Sequence, residues 1–301
     1  MTSVRNELAS RFPWPTPPGA GGSPRWTGAG FRVDEHDETV LSYLRERSGW
    51  SDDLTAMHEA EAGADHPIDV ASRARTISEL ARNLRGGHRT IVEVGCSSGY
   101  MLKELRSAFP DALVIGADYV GAPLRHLAET QPDLPLLQID LTRCPLPDAS
   151  VDGLVALNVL EHIEDDVGAV RQIHRILKPG GVAYIELPAG PALFDVHDKV
   201  LMHHRRYTFR GAVGLFARAG FRVERPTHLG FLVWPAFVAV KLRNKRHLSA
   251  SDDEQTAIVA ASIRGTKASP AMRLAMGIET ALARVTRFPV GIRVVLTAVK
   301  T

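Results

Sequence analysis

The sequence predicts a doubly wound α/β fold, and three observations carry that prediction. Five short apolar runs, TIVEVG, ALVIGAD, LPLLQID, VDGLVALN and VAYIELP, recur between residues 90 and 188. Amphipathic helical stretches separate them. The runs are apolar on both faces, which suits parallel strands covered by helices on the two sides of one sheet.

The elements follow in chain order. Residues 1–30 contain PWPTPPGAGGSP, a proline and glycine cluster that holds neither a helix nor a central strand, so a flexible arm or a loose wrap is expected there. From Val33 to Leu84 the pattern reads as helical. Val70, Ala74, Ile77, Ala81 and Leu84 form one apolar stripe ending before Gly86-Gly87, and residues 31–88 are expected to be a helical cap. Leu102, Leu105 and Phe109 give the first intervening helix its inner face. Val167, Val170, Ile173 and Leu177 do the same for the fourth, which Lys178-Pro179-Gly180-Gly181 stops before the fifth strand.

Beyond that strand two insertions are expected, at 189–219 and 231–288. In the first, Thr208 is a candidate N-cap, Phe209, Val213 and Phe216 share a helical face, and Gly220 ends the helix. FRVERPTHLG is expected as the sixth strand and GIRVVLTAVK as the seventh.

Composition narrows the function. The 301 residues are 45% hydrophobic, enough for one large core. The 36 basic and 34 acidic residues are mostly intermixed and leave a formal net charge of +2, so no long-range field is expected to hold nucleic acid. Cys96 and Cys144, the only cysteines, give neither a disulfide framework nor a metal quartet, which fits a reducing cytoplasm. MTSVRNELASRF has no apolar core of signal-peptide length. FLVWPAFVAV, residues 231–240, is about half the ~20 residues needed to cross a bilayer. Lys241, Arg243, Lys245 and Arg246 follow it, so two readings stand open: a helix resting on the inner face of an anionic membrane, or a buried helix or substrate-pocket wall.

In an open α/β sheet, ligands bind beyond the carboxyl ends of the strands. Here the first strand ends in Glu93-Val94-Gly95-Cys96-Ser97-Ser98-Gly99, the second in Asp118-Tyr119, the third in Asp140-Leu141 and the fourth in Asn158. A dinucleotide fingerprint starting at Gly95 needs glycines where Ser97 and Tyr100 stand, and a P-loop needs Lys where Tyr100 follows Gly99. Both readings fail. What remains is a nucleoside without a pyrophosphate: Asp118 suits the ribose hydroxyls, Asp140 the adenine amino group and Leu141 its face. The helix start near Tyr100 suits a carboxylate. A nucleoside carrying an amino acid is S-adenosylmethionine.

E-x-G-x-x-x-G at 93–99, the acids at 118 and 140, LNVLEHIEDD at 157–166 and LKPGG at 177–181 resemble the class I S-adenosylmethionine-dependent methyltransferases, specifically the ubiquinone-biosynthesis-like branch. The resemblance covers residues 89 to about 230 and the final strand. It implies a Rossmann-like, mostly parallel seven-stranded sheet with an antiparallel last strand, and residues 89–301 as the methyltransferase domain. It also implies that Glu93, Gly95, Ser97 and Gly99 surround the methionine part, Asp118 and Tyr119 the ribose, Asp140 and Leu141 the adenine, and Asn158 the sulfonium side. Ser97 stands where the family often has glycine, and a serine with a negative φ is expected to make the turn.

Methyl transfer to a hydroxyl needs a positioned acceptor and a base. His162, His197 and His203 are the candidates. Residues 203–208, HHRRYT, resemble an H-x-R-R-Y-T pattern of some small-molecule and sugar-directed relatives, with Met202 in place of a common glycine. Arg205 and Arg206 bind an acidic acceptor or pair with Asp195 and Asp198 to hold the lid. Glu161, His162, Asp165 and Asp166 offer a cage for a divalent ion, but the two aspartates are good N-caps, and no metal is expected. The expected function is O-methylation of a small molecule, a phenol, quinone, sugar or lipid-linked metabolite, by a cytoplasmic monomer or homodimer. The alternatives are C- or N-methylation, or a non-catalytic scaffold that keeps the fold.

Overall fold

The computed structural model describes residues 2–44, 63–84 and 86–301. Part of the expected helical cap, residues 45–62, lies outside the described residues. Helix α1 (Thr2–Arg11) opens the chain, followed by short strands β1 (Arg25–Trp26), β2 (Phe31–Val33), β3 (His36–Glu38) and β4 (Leu41–Ser42). Residues 31–42 are therefore strands where the helical reading extended from Val33. Nor is the arm loose. Trp14 packs edge-on against Phe31 at 4.9 Å and Trp26 does so at 5.0 Å. With Ala9 and Phe12 they join the core under the sheet, and the Trp14 indole N–H donates to the Ala9 carbonyl at 2.7 Å. The four aromatic side chains supply enough apolar area to order a segment whose prolines and glycines exclude regular structure.

Helix α2 (Pro67–Asn83) follows, where the apolar stripe places it, although Val70 on that stripe is exposed. Strands β5 (Thr90–Val94), β6 (Leu113–Asp118), β7 (Leu136–Gln138), β8 (Val151–Leu157) and β9 (Leu177–Pro188) are the five predicted runs. Between them lie α3 (Tyr100–Ala108), α4 (Gly121–Thr130) and α5 (Asp166–Ile176). Leu102 and Leu105 are fully buried on α3, and Ala169, Val170, Ile173 and Ile176 on α5, each group on one helical face. Val167, predicted for that face, is instead exposed.

After β9 come α6 (Val196–Val200), α7 (Phe209–Arg218), β10 (Phe221–Val223), β11 (Thr227–Leu229), α8 (Trp234–Asn244), α9 (Asp252–Ala268), α10 (Pro270–Leu282) and β12 (Arg293–Lys300). Thr208 caps α7 as expected, accepting from the Gly211 amide.

The main sheet runs β10-β12-β9-β8-β5-β6-β7-β4, with β11 also on β12. Strands β4 to β9 pair in parallel, and β12 is antiparallel to β9, β10 and β11. This is the Rossmann-like, mostly parallel sheet with an antiparallel end strand. It has nine strands among the described residues against seven expected, because β4 adds an edge and the predicted sixth strand is split at Glu224-Arg225-Pro226. Proline lacks the amide that a continuous ladder needs. One buried cluster lies under the sheet with α5 and α7, the other above it with α2, α3, α4 and α10.

Buried polar contacts fix α2 over the carboxyl end of β9. Glu186 accepts from the Ser72 hydroxyl at 2.7 Å, from the Tyr184 hydroxyl at 2.9 Å and from Arg293 at 3.1 Å, while Arg293 also reaches Asp69 at 2.7 Å. No described helix is long and apolar enough to cross a membrane.

Candidate functional site

The glycine turn after β5 is built from positive φ angles: +74° at Gly95, +45° at Ser97 and +74° at Gly99. A Cβ on Gly95 would lie 2.6 Å from Val159 Cγ2, and one on Gly99 2.6 Å from Leu127 Cδ2, so both positions exclude a side chain by space as well as by conformation. Ser97 corrects the sequence expectation. It turns with a left-handed φ, because its amide must point at Asp118, donating to Oδ2 at 2.9 Å. The other Asp118 oxygen accepts from the Val120 amide at 2.9 Å. The turn and the end of β6 are thereby locked together around one carboxylate.

Glu93 lies one strand away, in register with Gly116 of β6. Burial, with Asp118 beside it, pushes its carboxyl well above the usual range against the pull of Arg73. Its Oε2 is buried without a hydrogen-bond partner. Two adjacent buried acids and an orphaned carboxylate oxygen at the mouth of a helix fit a ligand that carries positive charge. The sulfonium and ammonium groups of S-adenosylmethionine carry such charge. Asp140 caps the short turn Leu141–Arg143, accepting from the Thr142 amide at 2.8 Å and its hydroxyl at 2.7 Å, and Leu141 is buried behind it. Tyr119 is half-buried, and its carbonyl accepts from Gln138 at 3.1 Å. Asn158 closes β8 with φ +55° and donates its amide to the Glu186 carbonyl at 3.0 Å. The predicted cofactor residues thus stand on the carboxyl ends of neighbouring strands β7, β6, β5 and β8.

The insertion after β9 folds back on itself. The Tyr207 amide donates to Pro188 and the Gly190 amide to Tyr207, and Met202 turns with φ +53° where the resemblance pointed to a glycine. The His204 amide donates to the Glu161 carbonyl at 2.8 Å, so the insertion is seated on the turn after β8. This brings His203 against His162, with ring centres 4.6 Å apart at 80°.

His203 Nδ1 is 2.8 Å from Asp198 Oδ1. Asp198 also receives Arg206 at 2.9 and 3.1 Å and Lys241 at 3.2 Å, and Lys241 reaches Asp195 at 2.6 Å. Burial works to raise the Asp198 carboxyl, but the His203 hydrogen bond and the Lys241 and Arg206 charges hold it well below the usual range. Burial lowers His203 against the opposing pull of Asp198. Glu161 is 0% exposed, neither carboxylate oxygen has a hydrogen-bond partner, and burial pushes it up to about 8. Glu161, His162 and His203 place one ligand atom each within 4.8 Å of one another, a set able to hold a metal.

The cage of Glu161, His162, Asp165 and Asp166 is taken apart: Asp165 caps α5 through the Gly168 amide, and Asp166 binds the Tyr207 hydroxyl at 2.8 Å and Arg205 at 3.0 Å. His197 sits on α6 with its amide on Asp195 and is not part of the triad. Arg206 makes the lid pairing, with Asp198, while Arg205 pairs with Asp166. Lys241 points inward and is 5% exposed, so it is not part of a surface run, whereas Arg243 and Arg246 are exposed. Sequence reasoning missed Glu186, Lys241 and Arg293 at this end of the sheet. The signal for Glu186 was available, since an acid inside the apolar run VAYIELP must have partners.

Fold and strand-end acids together define an α/β protein with acids gathered at the carboxyl ends of its first strands. Residues 92–185 match the family described as Methyltransferase domain. The chain is 33% identical over 138 residues to a probable S-adenosylmethionine-dependent methyltransferase of Mycolicibacterium smegmatis, a match covering 45% of this chain and 53% of that protein. It is 33% identical over 109 residues to trans-aconitate 2-methyltransferase of Azoarcus sp., covering 36% and 43% respectively. The chain spans about half the length of the curated relatives it matches. A chain from the complex between the Haloferax volcanii Trm112 methyltransferase activator and a methyltransferase has the same fold, with a TM-score of 0.55 and 18% identity over 83% of this chain and 99% of that one.

Proposed function

We propose that this chain transfers a methyl group from S-adenosylmethionine to an oxygen of a small-molecule acceptor. The observation that carries the reading is the pair of buried acids Glu93 and Asp118 on adjacent strands around the glycine turn, one with an orphaned oxygen. In this reading Gly95, Ser97 and Gly99 admit the amino-acid end, Asp118 and Tyr119 hold the ribose, Asp140 and Leu141 the adenine, and Asn158 faces the sulfonium. The bound cofactor supplies an activated methyl group, and the protein positions the acceptor oxygen and takes its proton.

His203, His162 and Glu161 form the acceptor end. His203 is the proton acceptor: Asp198 fixes its Nδ1, which leaves Nε2 for the hydroxyl, and burial keeps the ring neutral near pH 7. His197 has no place in this step. An oxygen acceptor agrees with the malonyl-[acyl-carrier protein] O-methyltransferase 1 of Coxiella burnetii, 26% identical over 154 residues, and with a site that invests in a base, which nitrogen methylation does not need. Incubation with methyl-labelled cofactor and a panel of phenols, quinones, sugars and carboxylic acids tests the reading. Label in an acceptor oxygen is expected. Cofactor binding with no transfer to any of them would favour the scaffold.

A further inference from the structure

We propose that Glu161, His162 and His203 form a binding site for one divalent transition-metal ion at the acceptor end of the crevice. The inference deepens the functional reading and rests on it only for what the ion faces. Three observations carry it.

The first is proximity: one oxygen and two ring nitrogens from separate segments, the turn after β8 and the seated insertion, lie within 4.8 Å of one another. Ligands about 2.0–2.2 Å from a shared ion stand about 3–3.5 Å apart, so side-chain rotation of about an ångström closes the set around a metal.

The second is the unsatisfied carboxyl of Glu161. It is fully buried, both of its carboxylate oxygens lack a hydrogen-bond partner, and it sits against the histidine pair. A buried carboxyl with nothing to bind is among the most unfavourable groups a core can hold, and it is stabilised by a cation that the set then completes.

The third is the support behind His203. Its Nδ1 is held at 2.8 Å by Asp198, which Arg206 and Lys241 hold in turn. A carboxylate behind one ring nitrogen is the arrangement that orients the other nitrogen of a metal-ligating histidine. The lid chemistry is then already balanced, with Asp195 and Asp198 against Arg206 and Lys241, so the charge of an added ion is met by Glu161.

Two imidazoles and one carboxylate select an ion of the zinc, cobalt, nickel, manganese or ferrous class over calcium or magnesium. Three protein ligands leave coordination positions open. An acceptor hydroxyl in such a position would have its pKa lowered by the ion and would release its proton to solvent, since His203 Nε2 is not free to act as the base while it holds the ion.

The test uses the full chain, stripped with a chelator and titrated with Co2+ while the visible d–d absorption is followed, then displaced with Zn2+. One equivalent of Co2+ with an intense band of low coordination number is expected. Glu161→Gln and His203→Ala should each weaken binding by tenfold or more, and Asp165→Asn, which keeps the cap of α5 and removes only a neighbouring charge, should bind as the wild type does. The same samples are titrated with S-adenosylmethionine, which reports folding and the cofactor site independently. Unimpaired cofactor binding without a stoichiometric cobalt band in the wild type overturns the metal site and leaves the methyltransferase reading intact. So does a cobalt band that both variants keep. Loss of cofactor binding in the wild type, with the cobalt band present, overturns the methyltransferase reading and leaves the metal site standing.

Discussion

His203 Nδ1 lies 2.8 Å from Asp198 Oδ1, and the same carboxylate group receives Arg206 and Lys241. One acid therefore orients the candidate base and, together with Asp195, balances two buried cations. Asp198→Asn keeps the shape and removes the charge. Methyl transfer should fall by about 10² or more, the range expected when a general base is mispositioned. Stability should fall by about 3–5 kcal/mol, because Arg206 and Lys241 are left buried with too little counter-charge. Steady-state kinetics and urea unfolding read the two effects, and cofactor affinity should be unchanged.

Arg293 joins α2 to the sheet through Asp69 and Glu186. Arg293→Met should lower stability by about 3–5 kcal/mol, measured by urea unfolding, since Glu186 loses its cation in a fully buried site. The pair also sets an acid limit. Burial opposes the charge on Asp69, but Arg293 and His66 hold its carboxyl below the usual range. A carboxyl lowered in the folded state binds fewer protons than in the unfolded one. The stability it contributes is therefore fully present above the unfolded value of about 3.9 and is lost as pH falls towards the folded one. Thermal unfolding from pH 6 to pH 2.5 should show this acid limb in the wild type and a smaller one in Arg293→Met.

Ser97 holds φ +45°, a conformation that disfavours an L-residue by about 1–2 kcal/mol. Ser97→Gly relieves that strain and gives back about 0.5–1 kcal/mol in chain entropy, so a net gain of up to about 1 kcal/mol is expected in thermal unfolding. Cofactor affinity should be retained, because the link to Asp118 is made by the backbone amide. A lower stability would show that the serine side chain matters more than its backbone.

Much of the sheet and its strand-end acids was legible in the sequence, for a physical reason. A parallel strand buried on both faces writes itself as a local apolar run, and the ligand end of each strand is marked by the residue that breaks the run. The φ of Ser97 was misread because the amide contact that compels it comes from Asp118, 21 residues on. The Asp69–Arg293 link joins residues 224 apart, and no local pattern announces such a partner. Lys241 looked like part of a basic surface run for the same reason. Its acids lie on α6, some 45 residues earlier, in a segment whose fold depends on being seated. The aromatic anchors of the N-terminal segment were visible as Trp14, Trp26 and Phe31, but the prolines and glycines around them outweighed them in a local reading.

The most direct test of the cofactor site is calorimetric titration of S-adenosylmethionine and S-adenosylhomocysteine into the wild type and Asp118→Ala. Removing a charged acceptor worth about 1.5–3 kcal/mol should weaken binding by tenfold or more. Saturable one-to-one binding by the wild type with that loss in the variant is the predicted result. A wild type that binds neither ligand would contradict the account at its centre.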